Sequence, residues 1–101
     1  MRTREKSYYD YGITNDEVKY IKEFCRNADK GQQNLIRYAL SDIQPYIAPY
    51  IFYSLINNIS YDKICAKNYI CICKDDFYAY RRKAIASIKE SLIKNKIWHQ
   101  E

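Results

Sequence analysis

Arg81, Arg82 and Lys83 stand in a row, with Lys74 and Tyr78 before them and Lys89 after them. Guanidinium and ammonium groups at this density pair with phosphate oxygens, while an ammonium or phenol earlier on the same helix can reach base edges. Polyanion binding is therefore the first chemistry to weigh. Metal binding is the second, because Cys65, Cys71, Cys73 and His99 are all of ligand type. Their spacing matches no Cys-x2-Cys pair, and cysteine packs well as a small buried group, so metal-free thiols are expected. His99 is the single histidine and falls in the terminal tail, where general acid–base catalysis would still need a positioned partner. No glycine-rich phosphate loop, nucleophile elbow or paired-carboxylate signature is present. The chain is expected not to be an enzyme and to need neither cofactor nor metal.

The distribution of charge bears on the first chemistry. Residues 1–60 hold 8 Lys/Arg against 7 Asp/Glu, and residues 61–101 hold 9 against 5. The excess gathers in the C-terminal part, where a polyanion-binding face would require it; a solvated Lys-rich helix has the same composition. The 12 tyrosines each offer a ring to bury and a polar tip to keep wet. Tyr46, Tyr50 and Tyr53 suit a half-buried helix face. Tyr8, Tyr9 and Tyr11, beside Arg2, Arg4 and Lys6, suit an arm laid on nucleic acid or on another protein. No apolar run approaches the ~18 residues of a membrane span, and no signal-peptide core follows the charged residues 1–6. A cytoplasmic protein with reduced cysteines and no membrane partner is expected.

The elements that would hold these residues read as helices. There are only 2 Gly and 2 Pro in 101 residues, too few turn formers for an all-β fold of one domain. Residues 1–13 show no periodicity and are expected to be a flexible basic, tyrosine-rich arm. Thr14-Asn15-Asp16-Glu17 has the form of a capping box and opens a helix over 15–27, ended by Asn27 and Asp29-Lys30-Gly31. A second helix is expected over 32–43. A third is expected from about 45 to 57, with Pro49 either in its first turn or delaying its start. Ser60 caps a short fourth helix, residues 69–72 read as a buried turn, and a fifth helix runs from 73 or 74 to about 93. Residues 94–101 form a polar tail. The apolar stripes nominate Ile21, Phe24, Leu35, Leu40, Phe52, Leu55, Ile64, Ile72, Phe77, Ile85 and Ile88 as core. The expected fold is a compact all-α bundle of about five helices in one domain, residues 14–93, with a helix-turn-helix over about 60–93.

Ser60-Tyr61-Asp62-Lys63-Ile64-Cys65, followed by Phe77-Tyr78-Ala79-Tyr80-Arg81-Arg82-Lys83-Ala84, resembles the DNA-binding region 4 of RNA polymerase sigma factors. It is more similar still to the small sigma-like regulators of phages and mobile elements, including the ArpU-type late transcriptional regulators. The resemblance covers roughly residues 46–93. It implies a helix-turn-helix whose second helix lies in the major groove of double-stranded DNA, regulation of transcription, and contact with RNA polymerase. It nominates Lys74, Tyr78, Arg81, Arg82, Lys83 and Lys89 as DNA-binding residues. Asp75 and Asp76 stand where that family has Ser, Arg or Thr. They suit a helix N-terminus through the macrodipole but not close approach to phosphate, which leaves a second reading open. In it, a small phage or mobile-element protein binds a host protein, such as RNA polymerase or a defence nuclease, and inhibits or redirects it.

Overall fold

A computed structural model describes residues 5–98 of the chain. Five α-helices make up the fold: α1 Asn15–Arg26, α2 Lys30–Ala39, α3 Ala48–Asn57, α4 Tyr61–Cys65 and α5 Lys74–Lys94. Single 3-10 turns, Tyr9–Tyr11 and Leu40–Asp42, precede α1 and follow α2, and no strand occurs among the described residues. The all-α bundle expected from the stripes is the fold.

The helix starts are built by side chains. Thr14 Oγ1 accepts from the Glu17 N–H at 3.2 Å and Glu17 Oε1 accepts from the Thr14 N–H at 2.9 Å, a complete capping box. Asp29 and Gln32 repeat the device at the head of α2, at 2.8 and 2.9 Å. The second helix therefore starts at Lys30 rather than at 32, because Asp29 initiates a helix instead of only ending one. It stops at Ala39, and the 3-10 turn takes up residues 40–42. Pro49 sits within the first turn of α3, whose start is delayed to Ala48; residues 45–47 form turns, with the Ile47 and Ala48 N–H groups both donating to the Gln44 carbonyl.

Asn58 closes α3 in the left-handed region at φ 54°, a conformation asparagine tolerates better than most residues. At this junction Ser54, the one buried polar residue among those described, donates from Oγ to the Ile59 carbonyl at 2.6 Å. Ser60 then caps α4, accepting from the Lys63 N–H at 3.3 Å.

Helix α5 is the axis of the bundle and packs against α1, α2, α3 and α4. Phe77, Ala84, Ile85, Ile88 and Leu92 form its inner stripe, meeting Ile21 and Cys25 of α1, Ile36 of α2, Ile51 and Leu55 of α3 and Ile64 of α4 in one core. Each large aliphatic or aromatic side chain so buried contributes roughly 1.5–3 kcal/mol. Of the residues expected in the core, Ile21, Leu40, Leu55, Ile64, Phe77, Ile85 and Ile88 are buried, whereas Phe24, Leu35, Phe52 and Ile72 are half-buried at its edge. Ile70, not Ile72, fills the turn between α4 and α5, and Tyr69, Cys71 and Cys73 of the same apolar run are exposed.

The described parts of both tails lie on the bundle. Ile13 is buried, and Tyr8 and Tyr11 pack against the core. Their placement differs from a free arm because Ile13 and these rings supply apolar surface that α1 and α5 can cover. At the other end Trp98 meets the Tyr20 ring edge-on, with centroids 5.1 Å apart. Arg2, Arg4 and His99 lie outside the described residues.

Candidate nucleic-acid interface

The six residues nominated on α5 are separated by the fold. From Asp76 to Lys89, every residue of α5 is buried or half-buried; the exposed positions are at its ends, Lys74 and Asp75 at one and Glu90, Ile93 and Lys94 at the other. Lys74 is at the open N-terminal end. Its ammonium pairs with Asp62 at 3.0 Å, with 55% and 71% of the two side chains exposed, and the carboxylate holds the Lys74 pKa above its ordinary value. An ion pair this wet is screened by solvent and contributes little to stability, so Lys74 can exchange its partner for another anion.

Tyr78 is used internally. Its hydroxyl accepts from the Tyr61 N–H at 3.1 Å, and its ring meets Phe77 edge-on at 5.6 Å. Tyr61 in turn donates from its own hydroxyl to the Ile72 carbonyl at 2.7 Å. The two tyrosines thus tie α4, the turn and the first coil of α5 into one unit.

Arg81 faces inward. It falls on the inner stripe, four residues after Phe77 and four before Ile85, and its Nε is buried without a hydrogen-bond partner. Its guanidinium lies 5.8 Å from the centre of the Tyr78 ring. Its charge also reaches α1: burial lowers the Lys22 pKa and Arg81 lowers it further. Burial pushes the Cys25 thiol up to about 12 against the opposing pull of Arg81. Arg82 donates from Nε to the Lys6 carbonyl at 2.9 Å, holding the N-terminal segment onto α5. Lys83 is half-buried. Lys89 pairs with Glu17 at 2.9 Å, with only 20% and 18% of the side chains exposed, and stands 5.6 Å from the Trp98 ring centre. The Thr14 N–H, then Lys89, holds the Glu17 carboxyl below its ordinary pKa. Arg82 and Lys89 thus fasten the tails and α1 to the central helix.

The fold presents other cations outward. Lys63 and Lys67 are exposed, one helical turn apart along α4 and its continuation, and Lys74 completes the set through Asp62, the neighbour of Lys63. Tyr69, 87% exposed, and Asn68 stand between them in the turn. Lys67, Asn68 and Tyr69 border one shallow hollow with Cys65 and Ile70. Asp62, Asp75 and Asp76 lie in the same region. The i, i+4 spacing of Lys63 and Lys67 was the sequence signal for this face. Tyr69 gave none, because it opens an apolar run that reads as buried.

Among the described residues no three His, Cys, Asp or Glu side chains gather as a metal site, and no helix is long and apolar enough to cross a membrane. Comparison with protein-family models, with curated proteins and with solved structures returned no match.

Proposed function

We propose that the chain binds double-stranded DNA through α4, the turn after it and the N-terminal end of α5, as a transcription regulator of the sigma-like kind found in phages and mobile elements. The observation that carries this reading is the set of exposed Lys63, Lys67 and Lys74, with Lys74 joined to α4 through Asp62 and exposed Asn68 and Tyr69 in the turn between the two helices. Lysines supply the sequence-independent attraction to phosphate, and polar and aromatic groups at a helix start are placed to read base edges. Arg82 and Lys89 serve this surface from behind, by fixing the N-terminal segment and α1 to α5. Asp62 is the exchangeable partner: it holds Lys74 extended until phosphate replaces it.

Fluorescence anisotropy with a labelled duplex, repeated across a salt series, tests the reading. The expected result is saturable binding at low salt, with log K falling by about 0.9 per phosphate contact for each unit of log salt. Absence of binding by folded protein at low salt would overturn it.

A further inference from the structure

We propose that the cleft between α2 and α3 is a docking site for a partner protein, taking an apolar side chain that carries a carboxylate beside it. The cleft has a volume of about 480 Å³, within the ~300–1,000 Å³ of pockets that accept a ligand or an anchor side chain. Leu40 and Ile43 form its floor, and Pro45, Pro49 and Phe52 its walls. Both floor residues are buried at 3% and 4% exposure. The two prolines lack freedom at φ, so this wall is formed before any partner arrives, which lowers the ordering cost of binding.

Charge selects the occupant. Arg37 stands at the mouth, its guanidinium 4.5 Å from the Phe52 ring centre and its Nη1 donating to Asn34 Oδ1 at 3.1 Å. Stacking and this hydrogen bond fix the plane of the guanidinium while most of its donors remain for a ligand. No carboxylate lines the cleft; the nearby Asp42 borders a separate polar hollow with Ser87, Glu90 and Lys94. The occupant must therefore be apolar in body and anionic at the edge. The rim points to a protein. Tyr46 is 58% and Tyr53 49% exposed; Tyr46 follows Pro45, and Tyr53 shares the Pro49 face of α3 one turn on. Neither tyrosine lines the cleft itself, but exposed tyrosines next in sequence to its lining Pro45 and Phe52 match the aromatic enrichment of protein interfaces. The site uses no residue of α4, the turn or α5, so it stands or falls independently of DNA binding.

A matched pair of probes tests it: N-acetyltryptophan, with its carboxylate, and N-acetyltryptophanamide, without. Each is titrated into isotope-labelled full-length protein, and amide shifts are followed by NMR. Both are expected to shift the amides of Leu40, Ile43 and Phe52. The amide should bind about threefold more weakly, the scale of one solvent-exposed ion pair, and Arg37→Gln should erase that difference while leaving the spectrum folded. Equal binding of the two probes to the wild type, shifts that map elsewhere, or a preference that survives Arg37→Gln would overturn the proposal. Analytical ultracentrifugation supplies the other arm: a concentration-dependent dimer abolished by Pro49→Glu would assign the cleft to a second copy of the chain and overturn it likewise.

Discussion

Arg81 shows how one member of a basic run can be turned toward the inside of a fold. Arg81 lies on the Phe77–Ile85–Ile88 stripe, so its inward direction was present in the helical spacing; the neighbouring Arg82 and Lys83 disguise it as part of a surface run. The Arg81 Nε is buried without a hydrogen-bond partner, and an unsatisfied buried donor weakens a fold. Arg81→Met keeps the stem and removes the charge beside Lys22, and should raise the melting temperature by a few degrees, about 1 kcal/mol for a domain of this size; a fall of similar size would show the guanidinium to be a stabilising group. Glu17 has the opposite character. Its folded-state pKa is depressed below 4.5, so its contribution is present above the ordinary carboxylate range and is lost as pH falls through the folded value. Wild-type stability should therefore drop on acidification below about pH 4.5 more steeply than that of Glu17→Gln, measured by denaturant titration at a series of pH values. The thiols also divide by burial: Cys25 is buried and Cys71 and Cys73 are exposed. An alkylating reagent at neutral pH should label Cys71 and Cys73 in minutes and leave Cys25 until the chain unfolds, as read by mass spectrometry.

Helix ends were the most legible elements where a side chain declares them. Thr14-x-x-Glu17 and Ser60 were readable caps because the bonded atoms are three residues apart and need nothing from elsewhere in the chain. Asp29-x-x-Gln32 has the same form, but Asn27 and Gly31 around it also spell a terminator, and the choice depends on how α1 and α2 pack. The turn after α4 was readable as a break and not as a surface. Alternation of Tyr69, Ile70 and Cys71 between water and core is decided by the Tyr61 and Tyr78 hydroxyls, eleven and seventeen residues away from their backbone partners. The α3–α4 junction yields a test at this scale. Ser54→Ala removes the donor to the Ile59 carbonyl in a site with no exposure and should cost about 1–3 kcal/mol, against about 3–5 kcal/mol for Phe77→Ala at the centre of α5. A Ser54→Ala protein as stable as wild type in urea would mean that the carbonyl finds another donor.

At the scale of the whole molecule, the bundle class and the number of helices followed from the scarcity of Gly and Pro, the caps and the apolar spacing together, because each apolar stripe needs a partner to close one core. Which helix would be central did not. Helix α5 reads as a surface helix, with its polar residues outnumbering its apolar ones, and becomes the axis because Lys6, Glu17 and Trp98 cover Arg82 and Lys89 from distant points in the chain. Such pairings have no local signature. The radius of gyration, 13.0 Å, is that of a compact domain of about 100 residues, so the described tails add no extension. The proposed DNA interface is therefore placed at the α4–turn end, where Lys63, Lys67 and Lys74 are exposed, and not at the middle of α5, where every residue is buried or half-buried.

The most direct test of that claim compares two sets of charge removals in the same duplex titration. Lys63→Gln with Lys67→Gln should weaken binding to every duplex and reduce the salt slope by about two contacts, roughly 0.9 each. Arg81→Met, which removes a charge from the inward face, should leave both affinity and slope at the wild-type values. If the lysine pair leaves the slope unchanged while Arg81→Met reduces it, DNA is held by the middle of α5, and the α4–turn end is not the interface.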